Sequence, residues 1–181
     1  MRRFPGICVI AGILLIPGIV SCARTETPVD DAAAADPSFL PARVLYRTHC
    51  GACHGRDGRG ATHLFPPLRG SEWAVADPEI PIRIVLHGIQ GLILVRGERY
   101  LNHMMPLGHR LSDEEIADIL TYVRASWGNR GSAITPGQVQ RVRAAFEDRD
   151  ATWSPEELAP LDSTTAVSAD SAGSGPGGPG S

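Results

Sequence analysis

The chain has 181 residues and a formal net charge of −3, with 43% hydrophobic but only 6% aromatic residues. That is room for one modest domain with tails, and a small domain so poor in aromatics buries limited apolar area by itself. All 17 basic residues are arginine, which excludes a lysine ring as a docking device, and the acidic balance leaves no footprint for nucleic-acid binding.

Residues 1–21 read as an export signal rather than as structure. Arg2 and Arg3 supply the positive start, and the apolar run from Ile7 to Val20 is too short for a permanent membrane span. Ile19-Val20-Ser21-Cys22 resembles a bacterial lipobox, which implies that Cys22 becomes the lipidated first residue; ordinary cleavage and an uncleaved anchor are the alternatives. Without Arg2 and Arg3 the balance is 15 basic to 20 acidic residues, a charge of −5. Residues 22–38 hold almost no large apolar side chain and are expected to form a flexible tether.

The expected folded part is a domain over 39–130 followed by a helical extension over 131–160. A first helix is predicted from about Pro41 to Gly51, with Val44, Leu45 and Thr48 on one face. It delivers Cys50-Gly51-Ala52-Cys53-His54. Two cysteines three apart with a histidine directly after the second form the attachment signature of c-type haem. Each thiol can add across one haem vinyl group, and His54 then becomes the proximal iron ligand. Such a large flat group would fill the deficit of aromatic core.

A second helix is predicted over Glu79 to His87, stopped by Gly88. A third runs from Ser112 to Trp127, where Ser112 and Glu115 form a capping box and Ile116, Ile119, Leu120 and Val123 share one face. No convincing alternating strand and no internal repeat is read. In the extension, Thr135-Pro136 opens a short helix with Val139, Val142 and Phe146 on one face, and Ser154 to Glu157 is another capping box, with Trp153 as an anchor. The Ser/Gly/Ala/Pro-rich stretch over 161–181 is expected to be disordered.

Cys8 leaves with the signal, Cys22 carries lipid, and Cys50 and Cys53 hold haem, so no thiol remains for a disulfide. A zinc site would need four ligands, and a second cysteine pair is missing. A thioredoxin-like pair would want strand–helix alternation. For the sixth iron position, Met104 and Met105 stand side by side before Pro106, and neighbouring side chains of an extended loop point to opposite sides, so one of them reaches the iron. Among the other histidines, His103 is the rival ligand, while His49, His63, His87 and His109 are read as bystanders.

Taken together, Cys-Gly-Ala-Cys-His-Gly after a helix, Pro66-Pro67-Leu68-Arg69-Gly70, Met105-Pro106 and the Leu111-to-Ala117 helix start resemble class I cytochrome c over about residues 40–130. Phe65 to Leu68, Ile84 to Gly88 and Thr121 to Asn129 resemble the bacterial, dehydrogenase-associated mono-haem subgroup. The resemblance implies an all-α fold, a cytochrome c-like small helical domain wrapped around one covalent haem. It implies that the Pro66 carbonyl accepts the His54 Nδ1–H bond, and it places the ligand methionine directly before proline, favouring Met105 over Met104.

With both axial positions filled, such a site accepts and passes one electron and offers no substrate position. The expectation is a non-enzymatic single-electron carrier of the bacterial cell envelope, lipid-anchored and facing the periplasm or the outside. Its partners would be redox proteins: a dehydrogenase or quinol-oxidising complex as donor, an oxidase or reductase as acceptor. The alternative is the cytochrome subunit of a multi-subunit periplasmic dehydrogenase. A gas-binding or peroxidatic haem with a labile sixth ligand is a third reading.

Overall fold

The structure, a computed structural model, describes Ala33 and residues 36–158. The expected export signal, Cys22, nearly all of the tether before residue 36 and the tail over 161–181 lie outside the described residues. A 3-10 turn at Pro37–Phe39, capped by the Asp36 carboxylate on the Ser38 N–H (2.8 Å), leads into α1, Leu40–His49. Then follow α2 (Gly51–His54), α3 (Glu72–Val75), α4 (Glu79–His87), strands β1 (Ile89–Val95) and β2 (Glu98–Met104), α5 (Asp113–Ala125), α6 (Pro136–Ala145) and α7 (Pro155–Leu158). Among the described residues, no helix is long and apolar enough to cross a membrane.

The core forms around α5, against which α1, α3, α4 and α6 pack. Both ends of α5 are set by local chemistry. The Ser112 hydroxyl accepts the Glu115 N–H (3.2 Å) and the Glu115 carboxylate accepts the Ser112 N–H (2.9 Å), satisfying two orphan donors at once. Ile116, Ile119, Leu120 and Val123 are all buried. The buried face of α1 differs from the expected one. Val44 and Thr48 are exposed, and Ala42 and Tyr46 point inward. Tyr46 has the larger surface to bury: its ring lies 5.6 Å from that of Tyr122 and 5.2 Å from that of Trp127, and its hydroxyl donates to the Gly55 carbonyl at 2.6 Å.

The expected all-α class needs correction, because β1 and β2 form an antiparallel hairpin with Ile89 opposite Met104 and Val95 opposite Glu98. Its turn, Arg96-Gly97, has φ of 55° and 80°, positive at both residues as in a type I′ turn. An arginine there is unfavourable, and the Glu72 carboxylate compensates by accepting the Arg96 N–H at 3.0 and 3.1 Å. The strands hid in the sequence because the outer face is apolar too. Leu92 and Leu101, which are cross-strand partners, and Leu94 are all exposed, Leu101 at 76%, so Leu92 to Val95 reads as an unbroken run instead of an alternation.

The extension closes over α4, α5 and the hairpin. The Thr135–Gln138 capping box starts α6, which buries Val139 and Val142. Trp153 is buried with Ile89 and Leu158 in a second cluster that Met104 also touches. His87, at the end of α4, donates from Nδ1 to the Arg149 carbonyl at 3.1 Å and meets the rings of Phe146 and Trp153 edge-on. Burial holds this imidazole below its ordinary 6.5; the hydrogen bond opposes that, and the Arg149 and Arg143 guanidiniums reinforce it. Folding therefore favours the neutral ring, and the unfolded chain takes up the proton first as pH falls. The stability contributed by neutral His87 is complete above about pH 6.5 and is lost progressively below it. Thermal melts between about pH 7.5 and pH 5 should show this loss, and His87→Gln should flatten that part of the profile.

Candidate functional site

Cys50 closes α1, its N–H bonded to the Tyr46 carbonyl at 2.8 Å, and one further turn carries Cys53 and His54, whose N–H returns to the Cys50 carbonyl at 2.9 Å. Both cysteines are free thiols, Cys53 exposed and Cys50 partly buried. Burial, with Cys53 adjacent, pushes the Cys50 thiol up to about 12, so in the bare chain it stays protonated. His54 is buried, and its Nδ1–H donates to the Pro66 carbonyl at 2.9 Å. Burial lowers the pKa of this ring and the Pro66 bond partly offsets that. The result is a neutral imidazole with its proton on Nδ1 and the Nε2 lone pair left for a metal.

The loop bearing Pro66 is fixed from below. Leu68 and Arg69 N–H groups both donate to the Gly58 carbonyl, at 2.8 and 2.9 Å. Gly58 has φ of 68°, and a Cβ there would sit 2.5 Å from Cε3 of Trp127, so side chains are shut out by an indole as well as by backbone conformation. Asn129 ties this loop to the end of α5: its Nδ2 donates to Leu68 O (3.0 Å) and Val123 O (2.8 Å), and its Oδ1 accepts the Gly70 N–H (2.8 Å). Arg124, also buried, spans from the Ala74 and Ala76 carbonyls to Ser132. Sequence reasoning saw Thr121 to Asn129 as a motif without a physical task. The signal was there in two polar side chains close behind the apolar face of α5.

A cavity of about 450 Å³ is lined by Cys50, Cys53, His54 and Pro66 to Leu68, by the inner face of the hairpin, by Met104 to Leu107 and by Ile119, Leu120 and Val123 of α5. The size falls within the ~300–1,000 Å³ of small-molecule sites. Among the described residues no carboxylate lines it, while the Arg110 guanidinium and the rings of His49 and His103 do, polar groups suited to a ligand with an anionic edge. Among the described residues, no three of His, Cys, Asp and Glu converge as a metal cluster.

The two methionines part company as neighbours on a strand end must. Met104 is half-buried and packs against both hydrophobic clusters. Met105, 65% exposed, lines the cavity without joining either cluster. His49 and His103 reach the cavity; His63 and His109 are exposed and do not line it, and His87 is occupied by the extension.

The cytochrome c family model matches residues 41–127. Cytochrome c-552 of Thermus thermophilus is 34% identical over 104 residues, which cover 52% of this chain and 79% of that protein. The cytochrome c subunit of a quinone-dependent alcohol dehydrogenase from Gluconacetobacter polyoxogenes is 30% identical over 114 residues, 61% of this chain and 24% of the relative. The gluconate 2-dehydrogenase cytochrome c subunit of Pantoea cypripedii is 34% identical over 148 residues, 76% of this chain and 32% of the relative. The chain thus spans about a quarter to a third of the length of these dehydrogenase subunits. It belongs to the cytochrome c family, whose prosthetic group is covalent haem c. The donors present fit that group: two thiols three apart, a neutral buried imidazole and a thioether, all bordering one largely apolar cavity.

Replacing Asn129 with alanine removes three hydrogen bonds, one buried and two partly buried, and should lower the unfolding free energy by about 2–4 kcal/mol in denaturant melts of the holoprotein. Relaxation of the loop that carries Pro66 should accompany the loss.

Proposed function

We propose that this chain passes single electrons through one haem c ligated by His54 and Met105, as a carrier of the bacterial cell envelope. The observation that carries the reading is that one cavity is lined by both attachment cysteines, by a neutral His54 locked onto Pro66 and by an uncommitted Met105. Haem bound there supplies a one-electron ferric–ferrous couple. Cys50 and Cys53 would hold the group covalently. The Pro66 carbonyl orients His54 and increases its basicity. Met105 would supply the sixth ligand, a neutral sulfur that favours the ferrous state and raises the potential, while Met104 stays with the core. The side chains of Leu68, Ile119, Leu120 and Val123 keep water from that face of the cavity, so charge changes there with little rearrangement. No catalytic residue is assigned.

Cys22 would tether the chain to a membrane through lipid, with the expected 22–38 tether as reach, placing the domain on the periplasmic or outer side. A dehydrogenase or quinol-oxidising complex would be the donor and an oxidase or reductase the acceptor. A second reading, the redox subunit of a dehydrogenase complex, is supported by the gluconate dehydrogenase relative, whose match extends over 148 residues, beyond the 41–127 family match. A stable co-purifying dehydrogenase subunit would favour it over the free carrier.

An absorption spectrum of protein matured in a haem-attaching host, with pyridine haemochrome and near-infrared bands, tests attachment and both axial ligands. Cys50→Ala or Cys53→Ala should prevent stable holoprotein. Met105→His should lower the reduction potential and abolish the sulfur-to-ferric-iron charge-transfer band, whereas Met104→His should retain it. The opposite pattern would move the ligand to Met104.

A further inference from the structure

The C-terminal extension grips the methionine-bearing loop from both ends. On the far side of the loop, Arg143 of α6 donates from Nη1 to the Gly108 carbonyl (2.6 Å) and from Nη2 to the Leu111 carbonyl (3.1 Å), while its Nε pairs with Asp113 (2.8 Å). On the near side, Trp153 adds a strand-like rung to β1: its N–H donates to the Gly88 carbonyl (3.1 Å) and its carbonyl accepts the Gln90 N–H (2.9 Å). The residue between those two, Ile89, pairs across the hairpin with Met104, and the buried Trp153 ring shares a cluster with both. Gly88 completes the stack. A Cβ on it would collide with the Met104 carbonyl, lie 3.1 Å from Pro106 N and 3.2 Å from Thr152 Cγ2, so extension, helix end and loop are in direct contact. The Arg149 guanidinium lies 3.5 Å over the Trp153 ring and pairs with Glu157, which locks the rung in place.

We propose that Trp153 and Arg143 are positioning residues for the sixth iron ligand, and that the extension exists to hold the Met105 thioether against competing ligands. The inference rests on Met105 being that ligand. A thioether is neutral and weakly basic, and it sits on a long flexible side chain, so its share of the sixth position depends on how far its backbone is fixed beforehand. Residues 106–111 form a loop that the haem domain anchors at Val85 and Leu86 through the Leu107 and Gly108 N–H groups. The loop also closes on itself through the Arg110 and Leu111 N–H groups, both donating to the Leu107 carbonyl, and Leu111 sits in the main core; the extension adds the restraints at the Gly108 and Leu111 carbonyls and behind Met104.

The test is a titration of full-length ferric holoprotein with imidazole at about 25 °C, following the sulfur-to-iron charge-transfer band. Trp153→Ala and Arg143→Gln should each bind imidazole about tenfold more tightly than the parent or better, and Trp153→Phe should restore most of the resistance. Met105→Ala provides the open-site reference. Helicity and haem attachment of the variants are checked at the same temperature; a merely structural role would lower the melting temperature and leave imidazole affinity where it was. Should Trp153→Ala not accumulate, Arg143→Gln decides. The proposal is overturned if Met105→Ala opens the site while the extension variants stay within about twofold of the parent. If Met105→Ala keeps the band, the ligand assignment itself fails and the proposal goes with it, a result distinct from the first.

Discussion

A histidine can ligate a metal only while its ring is neutral and aimed, and the hydrogen bond from His54 Nδ1–H to the Pro66 carbonyl secures the aim as burial secures the neutrality. Much of the structure maintains that one bond. The Cys50–His54 turn places the imidazole, and the Gly58 carbonyl anchors the loop after Pro66 through two N–H groups. Trp127 closes over Gly58, and Asn129 fastens the loop to α5. The His54 imidazole and α5 are thereby one mechanical unit.

The proposed sixth ligand, Met105, is held differently. Nothing on its side resembles the Pro66 bond, because a thioether has no second donor to be steered by. Steering has to come from the backbone, and the backbone around Met105 is held by a hairpin and by chain elements beyond residue 131. His54 and Met105 therefore call on different resources: a hydrogen bond to a ring for one, packing and carbonyl contacts of a distant segment for the other.

What the sequence disclosed follows the same division. Caps and short-range signatures were legible: Ser112 with Glu115, Thr135 with Gln138, Gly88 at the end of α4 and the Cys-x-x-Cys-His turn all depend on neighbours within a few residues. The hairpin was not, since leucines occupy its solvent face and Arg96 stands where such a turn usually has Asn, Asp or Gly. The buried face of α1 was misjudged because Tyr46 acts through rings far away in the sequence, Tyr122 and Trp127. Trp153 could be picked out as an anchor, yet its attachment at Gly88 and Gln90 is long-range pairing that no local pattern encodes.

The leucines on the outside of the hairpin bear on how the protein is made. Its inner face, with Ile93 and Val95, is apolar because it lines the cavity, and its outer face carries Leu92, Leu94 and Leu101. A newly made chain without its haem thus presents a two-stranded ribbon that is greasy on both sides, with one strand edge unpaired, a form apt to stick to copies of itself. Prompt attachment of haem in that cavity would cover the inner face and so protect the yield of the protein, besides supplying its redox centre.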